Sequence, residues 1–308
     1  MVNIEHLFVF LDVTQTLSFS ETAQRLHVSQ PTVSKNIHDL ESELGIKLFE
    51  RTGTKPRLTE AGRALLPWAR KLVIQSNEFE DIARSINQDV TGSLMIACTT
   101  TAGKYILPLL AARFRQQYPQ VRISIPSCTQ EDVISHLLEK NFHLGVVSRE
   151  IYTAGFESQE FFNDFITLIV PANHPWTMRS SIEPDELLEE RIILREPTSG
   201  TRRVVLEELA KNEITLDDLT VFLELGNAEA IVRTVAAGYG VAFVSTLAAE
   251  CPLARGQIGS VAVAHLNLRR TIYMVRKSLD VSHRPQEVFW GFVHDPVNAD
   301  LLQLPVKS

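Results

Sequence analysis

Two short amphipathic segments near the start of the chain are typical of two helices joined by a tight turn. Ser18, followed three residues later by Glu21, forms a capping box, so a first helix is predicted to begin there and to end near His27. Ser29 is the expected N-cap of a second helix, and Pro31 is tolerated because an amide in the first turn has no intrahelical partner. Apolar residues then recur at steps of three and four, at Val33, Ile37, Leu40 and Leu44. This spacing predicts one apolar stripe that packs on the first helix.

The outward face of the second helix carries short polar groups and one cation. Its first turns present Gln30, Thr32, Ser34, Lys35 and Asn36. The N-terminal residues of a recognition helix read base edges, while phosphate contacts hold the helix in register. Glutamine and asparagine pair with adenine, serine and threonine with several base edges, and lysine with guanine or phosphate. Taken alone, this segment fits either a DNA-reading helix or an ordinary solvated helix face.

A basic hairpin is predicted directly after the helix pair. The stretch is broken by glycine and proline, and its only acids are Glu50 and Glu60. Its cations are Lys47, Arg51, Lys55, Arg57 and Arg63. The whole chain of 308 residues has a formal net charge of −7, which argues against nonspecific coating of nucleic acid. A small basic face on an acidic chain instead fits localised DNA binding, with a solvated hairpin as the alternative.

A long helix is predicted from Thr59, a suitable N-cap, to about Gln88. Its heptad positions alternate steps of four and three and comprise Ala61, Leu65, Trp68, Leu72, Gln75, Phe79, Ile82 and Ile86. Such a seam predicts a coiled-coil contact between two copies, in which the polar Gln75 fixes the register. The alternative is a single helix docked on its own domain. Pro67 removes one helical hydrogen bond, so we expect a local bend there rather than an end.

These segments together resemble the DNA-binding end of LysR-type transcriptional regulators. The matching residues are Phe8, the runs 18–23 and 26–35, Ile37, Leu40, Leu44, the run 48–51 and the run 58–62. The resemblance implies a winged helix-turn-helix over 1–58, a linker and dimerisation helix over 59–89, and an effector-binding domain over 90–308. That last domain would have two lobes, like a periplasmic binding protein. Implied partners are double-stranded promoter DNA, a small-molecule effector, further copies of the chain in a dimer or tetramer, and RNA polymerase.

The same resemblance points to the residues that contact DNA. The groove-facing surface would be lined by Ser29, Gln30, Pro31, Ser34 and Lys35. Arg51 would approach the DNA backbone. Thr32 joins these candidates because it lies on the same polar helix face.

Beyond Gly92 the pattern alternates between strands and helices, which is typical of α/β folds with parallel sheets. Strands are expected at Leu94–Cys98, Val121–Pro126, Leu144–Val147, Phe165–Val170, Ile192–Leu194, Thr220–Leu223, Val241–Val244 and Thr271–Val275. They form two lobes of similar length, about 91–162 with 266–308, and about 163–265. The placement of the last strand in the first lobe comes from the resemblance.

Hydroxyl groups are concentrated where these strands end, which is where parallel α/β sheets bind ligands. The candidate effector-binding residues are Thr99, Thr100, Thr101, Thr129, Ser148, Thr198, Ser199 and Thr201. Thr101, Thr129 and Ser199 stand where helices begin, so free backbone N–H groups and positive helix ends favour a small anion. For each residue taken singly, simple helix capping is the alternative. In LysR-type proteins the same loops hold the inducer.

Charged and sulfur-containing residues near these loops leave further alternatives open. Arg149, Arg195 or Arg202 could pair with the ligand, although surface and supporting roles fit them equally. Cys98 and Cys128 lie near the ends of neighbouring expected strands, so the candidates are a redox-sensing pair and two small buried or pocket-lining thiols.

The three cysteines have no metal-like spacing, and the chain shows neither a signal peptide nor an apolar run of membrane-spanning length. These features predict the reducing cytoplasm. Motifs of hydrolases, zinc proteases, phosphate loops and dinucleotide-binding turns are missing from the sequence, so no catalytic residue, metal or cofactor is expected. A ligand-responsive transcription factor accounts for every segment. A solute-binding protein accounts only for the C-terminal lobes.

Overall fold

The computed structural model describes residues 2–50, 56–85, 90–98, 100–139, 142–278 and 283–302. Two compact units divide the chain, Met1–Asp89 and Val90–Ser308. Among the described residues, no helix combines the length and the apolar character that a membrane span would need.

The first unit is a small helical domain with a two-stranded hairpin. Its elements are α1 (Ile4–Thr16), α2 (Phe19–Arg25), α3 (Gln30–Leu44), β1 (Phe49–Glu50), β2 (Arg57–Leu58) and α4 (Glu60–Ser85). The Ser18 hydroxyl accepts a hydrogen bond from the Glu21 amide at 3.2 Å, and Ser29 accepts one from the Thr32 amide at 3.3 Å. Both predicted N-caps are therefore confirmed, and so is the helix pair that they delimit.

The long helix α4 has two apolar faces with different environments. It begins after Thr59, whose hydroxyl accepts a hydrogen bond from the Gly62 amide at 2.9 Å, and it continues through Pro67. Ala69 and Val73 are buried in the core of this unit. On the predicted seam, by contrast, the exposed fractions are 61% for Trp68, 45% for Leu72 and 74% for Phe79. Ile86 and the side chain of Ile82 lie outside the described residues. Leu65, near the start of the seam, is partly buried against that core. From Trp68 to Phe79, the apolar residues of the seam are surface that their own unit does not cover.

The second unit contains most of the strands. Its first half comprises β3 (Gly92–Cys98), α5 (Thr100–Tyr105), α6 (Leu107–Gln117), β4 (Val121–Ser124), α7 (Gln130–Leu138), β5 (Leu144–Val147), β6 (Phe156–Pro171) and β7 (Ser181–Ile182). Its second half comprises β8 (Arg191–Arg195), α8 (Gly200–Ala210), β9 (Thr220–Leu225), α9 (Ala228–Ala236), β10 (Ala242–Ser245), α10 (Thr246–Ala254), β11 (Ile258–Val263), β12 (Arg269–Lys277), α11 (Arg284–Phe292) and α12 (Ala299–Leu302). Short 3₁₀ turns cover Pro175–Met178, Pro184–Glu189, Leu216–Asp218 and Pro296–Asn298.

The sheets of this unit are mixed. The expected parallel pairing occurs between β3 and both β4 and β5, and between β8 and β9. In contrast, β12 pairs antiparallel with β5 and β6, and β6 pairs antiparallel with β10 and β11. The antiparallel pairs arise because the chain crosses from one lobe to the other along β6 and returns along β12.

The strand β6 is much longer than the expected strand Phe165–Val170. Its first part pairs with β12, and its last part, from Ile166 to Pro171, pairs with β10 and β11. One strand thus belongs to both lobes, and the expected lobe boundary at residues 162 and 163 falls inside it. Each lobe has its own apolar core, which is centred on Phe114 and Phe289 in the first and on Leu194 and Val205 in the second.

Candidate nucleic-acid interface and effector cleft

The polar face of α3 lies opposite a buried apolar stripe. Val33 and Leu40 are fully buried and Ile37 nearly so, in a core shared with Phe10 of α1. The groove-facing candidates Gln30, Pro31, Thr32 and Lys35 are exposed, and Ser34 is half-buried. The structure therefore places the predicted DNA-reading residues on the solvent side of a helix that its own core holds rigidly.

Hydrogen bonds order the side chains on this face. Gln30 Nε2 donates to Ser34 Oγ at 2.8 Å, and the hydroxyls of Ser29 and Thr32 lie 2.8 Å apart and share a hydrogen bond. Lys35 makes no hydrogen bond or ion pair with any residue that the structure describes. The face thus combines two locked polar pairs with one available cation, a set that suits base edges and phosphate respectively.

Glu41 anchors the hairpin to the C-terminal half of α3. Its carboxylate accepts hydrogen bonds from Lys47 Nζ at 2.6 Å and from the amides of Leu48 and Phe49 at 2.8 and 3.2 Å. Burial on its own would raise the pKa of Glu41, but the bonds from Lys47 and the two amides outweigh it and lower that pKa. Lys47 is consequently engaged within the protein and is not a free cation of the basic hairpin.

Glu41→Gln should destabilise the first unit by about 1–3 kcal/mol, because the change weakens the bonds to two buried amides. The lowered pKa of Glu41 means that its stabilisation is present above about pH 4.5, the ordinary value, and is lost as the pH falls through the lowered pKa. Urea unfolding as a function of pH tests both points. The parent should lose stability in acid more steeply than the variant, and parallel curves would contradict this role of the carboxylate.

The hairpin itself is described only at its base. Glu50 lies opposite Arg57 in the antiparallel pair of β1 and β2, and Arg63 Nη1 donates to the Leu58 carbonyl at 2.7 Å. Arg51, the residue predicted to approach the DNA backbone, lies outside the described residues together with Lys55. The backbone contact of Arg51 therefore stays a prediction.

The loops predicted to form an effector cleft do meet at one edge of the first lobe. Cys98 at the end of β3 bridges to Ser127 after β4, and it lies opposite Val146 near the end of β5. Thr99 lies outside the described residues. The backbone of Thr100 and Thr101 forms the start of α5, but their side chains are not described.

Two of the hydroxyl candidates are helix caps. Thr129 forms a capping box with Asp132: its hydroxyl donates to the carboxylate at 2.6 Å and accepts from the Asp132 amide at 3.2 Å. Ser199 accepts hydrogen bonds from the amides of Thr201 and Arg202, which begin α8. The capping alternative therefore describes both residues, and their role in effector binding stays a prediction.

The two lobes touch where Ser148 meets Gly200. A Cβ atom added to Gly200 would lie 2.4 Å from Ser148 Oγ and 2.9 Å from Arg270 Nη1, so only glycine permits this approach. Arg203 Nη2 donates to the Ser148 carbonyl at 3.3 Å. Ser148 and Thr201 are buried at this junction, whereas Thr198 is exposed. A second contact joins the lobes at Lys104 Nζ and Glu229, 2.8 Å apart.

The three candidate arginines have different surroundings. Arg195 is buried and donates two hydrogen bonds of 2.7 Å to Glu196. Arg202 donates to the Arg195 carbonyl at 2.9 Å and to Glu224. Both guanidinium groups are therefore committed within the second lobe. Arg149, in contrast, is exposed in a groove of about 960 Å³ beside the lobe junction.

A buried ion pair that the sequence reasoning missed joins the crossing strands. Arg270 of β12 donates to Asp164 Oδ2 of β6 through Nε at 2.9 Å and Nη2 at 2.7 Å. Ser245, at the end of β10, donates to Asp164 Oδ1 at 2.5 Å. Asp164 is completely buried. An aspartate set between Phe162 and Phe165 was the available sequence signal, because a charge within an apolar strand needs a partner.

The two cysteines near the cleft are poor thiolate formers. Burial, together with the nearby Cys128, raises the pKa of Cys98 to about 12. Burial and the neighbouring Asp132 also raise the pKa of Cys128. Because the thiolate is the reactive species, this setting favours the interpretation of structural thiols over a redox pair. Within the described part of the chain, no group of three or more potential ligands could hold a metal ion.

Comparisons with known proteins cover almost the whole chain. Residues 4–63 match the family model "Bacterial regulatory helix-turn-helix protein, lysR family", and residues 87–297 match "LysR substrate binding domain". Over 299 residues the chain is 29% identical to a probable RuBisCO transcriptional regulator of Trichormus variabilis, covering 94% of this chain and 89% of that protein. It is 31% identical over 290 residues to the uncharacterized HTH-type transcriptional regulator MJ0300 of Methanocaldococcus jannaschii, with coverages of 94% and 98%. The crystal structure of the probable transcriptional regulator PA0477 from Pseudomonas aeruginosa matches with a TM-score of 0.78 at 16% identity, covering 95% of this chain and 96% of that one.

Proposed function

This chain belongs to the LysR family of transcriptional regulators, and we propose that its α3 reads a promoter sequence through Gln30, Ser34 and Lys35. Regulators of this family bind DNA, respond to small-molecule effectors and form oligomers. The observation that carries the proposal is the ordered polar face of α3, where Gln30 and Ser34 share a hydrogen bond of 2.8 Å. This hydrogen bond orders two polar side chains at the N-terminal end of α3, where a recognition helix contacts base edges.

Gln30→Ala and Ser34→Ala should relax sequence preference, because each removes hydrogen-bonding groups offered to base edges. An operator is first selected by the parent protein from a random duplex pool, and affinities for that operator and for a scrambled duplex are then compared. Losing a base contact should reduce the ratio of the two affinities by roughly tenfold, since such contacts are worth about 1–3 kcal/mol. Ser42→Ala, an exposed change farther along α3, is the matched control and should preserve the ratio. An unchanged ratio for both variants of the polar face would contradict the proposal.

For the oligomer, we propose that α4 pairs with α4 of a second copy along the seam that contains Trp68, Leu72 and Phe79. A pair of DNA-binding units can engage two half-sites, and RNA polymerase is the natural further partner of a promoter-bound regulator. A dimer or a tetramer would satisfy this arrangement. Because its target is promoter DNA, we place the protein in the cytoplasm.

For the effector, we propose a small anion bound between the lobes by the loops that follow β3, β4, β5 and β8. Support comes from the convergence of Cys98 at the end of β3, Ser127 after β4 and Val146 near the end of β5, and from the contact between Ser148 and Gly200. A ligand there would touch both lobes, and it can shift their arrangement only if it binds one arrangement more tightly than another. Thr198, which is exposed in the second lobe, is available for such a contact.

The alternative of a redox-sensing pair is disfavoured at Cys98 and Cys128, because burial raises the pKa of both thiols, that of Cys98 to about 12. A solute-binding protein without a regulatory role leaves residues 4–63, which match the helix-turn-helix model, without a purpose. Retention on a duplex column that falls steeply with salt would separate a DNA-binding regulator from a solute-binding protein.

A further inference from the structure

The polar face of α3 continues one turn beyond Ser34 and Lys35. His38 follows these residues by four and three positions, the spacing at which side chains are neighbours on one side of a helix. The side chain of His38 is exposed, whereas Ile37 and Leu40 point into the core of the first unit. The packing that keeps Lys35 on the solvent side of α3 therefore keeps His38 there as well.

The length of α3 up to His38 matches the width of a DNA groove. His38 lies eight residues after Gln30, which corresponds to about 12 Å along the axis of an α-helix. The major groove is about 12 Å wide, and its edges are the two phosphate backbones. When Gln30 and Ser34 lie over base edges, His38 is therefore beside a backbone.

The charged groups around His38 leave its ring available to an anion. Lys35, one turn earlier, shares the exposed face and is itself a cation. Glu41, later on α3, is buried and is held by Lys47 at 2.6 Å. Asp39 is adjacent in sequence and lies about 100° away around the helix. Within the part of the chain that the structure describes, His38 has no hydrogen bond, ion pair or ring contact with a side chain of another element, so no carboxylate there is placed to pair with its protonated ring.

A histidine beside a DNA phosphate makes binding depend on pH. An imidazole without neighbours titrates at about pH 6.5, whereas phosphodiester groups stay ionised at neutral and mildly acidic pH. We propose that His38 binds a phosphate of the DNA backbone when its ring is protonated, and that affinity for the operator consequently rises as the pH falls. Each such contact takes up one proton from solution. The inference rests on the proposed reading of DNA by α3 and adds to it a contact that responds to pH.

Fluorescence anisotropy with the selected operator, at fixed ionic strength between about pH 6 and about pH 8, tests the contact. The parent should bind roughly fivefold to tenfold more tightly at the acidic end, because one charge-assisted hydrogen bond is worth about a decade in affinity. His38→Gln should lose this difference and bind throughout like the parent at the alkaline end. His38→Lys, which stays charged over this range, should bind throughout like the parent at the acidic end.

Salt dependence and a second histidine separate this contact from other sources of pH dependence. The slope of log affinity against log salt should steepen by about one on acidification of the parent, because one further phosphate is neutralised, and should not change in His38→Gln. His27→Asn is the matched control and should keep the pH dependence of the parent. His27 is exposed in the turn before α3, and its φ of 54° is a conformation that asparagine tolerates.

The proposal is overturned if the parent shows no pH dependence, if the dependence persists in His38→Gln, or if His27→Asn abolishes it. A phosphate contact carries no sequence information, so His38→Gln should keep the affinity ratio between the operator and a scrambled duplex. A reduced ratio would assign His38 to base edges and would also overturn the phosphate contact. Failure of DNA reading by α3 gives a different result, because Gln30→Ala and Ser34→Ala would then leave that ratio unchanged.

Discussion

Leu72→Glu should convert the assembled regulator into monomers and abolish high-affinity operator binding. Leu72 lies on the apolar seam of α4 with Trp68 and Phe79, and its side chain is 45% exposed in the single chain. Pairing of two α4 helices would bury a glutamate in each copy, and a buried charge without a partner costs several kcal/mol. The fold of the first unit should survive, because its core uses Ala69 and Val73 on another face of the helix.

Light scattering and operator titration provide the measurements for Leu72→Glu. Asn77→Glu is the matched control, since it places the same charge on an exposed position of α4 away from the seam. The control should remain assembled and bind the operator like the parent. A parent protein that is itself monomeric at micromolar concentration would refute pairing through α4, and so would a Leu72→Glu variant that stays assembled.

The first unit could be predicted in detail from the sequence because its signals are local. The caps at Ser18, Ser29 and Thr59 each involve residues three positions apart, and all three occur in the structure. The apolar stripe of α3 likewise follows from helical spacing alone. The seam of α4 could be predicted as apolar, but whether its own unit covers it depends on tertiary packing that spacing does not determine.

The second unit was less predictable because its sheet depends on pairing between distant residues. Residues 157–160 of β6, Glu-Ser-Gln-Glu, are polar and give no strand signal of their own. They form a strand because β12, more than 100 residues later, pairs with them. Similarly, the apolar pattern of residues 104–117 predicts a single helix, but the structure has two helices there, α5 and α6, which meet at Ile106.

The candidate sites also differ in how far local sequence signals predict them. The polar face of α3 follows from a helical wheel, whereas the partners of individual charges do not. Arg195 and Arg202 were reasonable ligand candidates by position, yet Glu196 and Glu224 already hold them. Arg149, by contrast, has no ion-pair partner among the described residues, which only the structure could show.

Asp164→Ala should cost about 3–5 kcal/mol of stability in the second unit, because it leaves Arg270 buried without its counter-charge. Arg270 is bound to Asp164 by two hydrogen bonds of 2.7 and 2.9 Å, and Ser245 donates a third bond to the same carboxylate. Since this cluster ties β6 to β12 and β10, its loss should loosen the strands that connect the lobes. Urea unfolding followed by fluorescence measures the cost.

The ion pair of Glu157 and Arg276, 2.6 Å apart, offers a matched control, since it joins the same two strands but is exposed to solvent. Glu157→Ala should cost less than about 1 kcal/mol, because water screens an exposed pair. Replacing both buried partners, as in Asp164→Leu with Arg270→Met, should recover much of the loss, since no unpaired charge then remains. If Asp164→Ala and Glu157→Ala lowered the free energy of unfolding by the same amount, burial would not determine how much an ion pair contributes to stability. If the Asp164→Ala variant were as stable as the parent, the cluster of Asp164, Arg270 and Ser245 would not hold the lobes together.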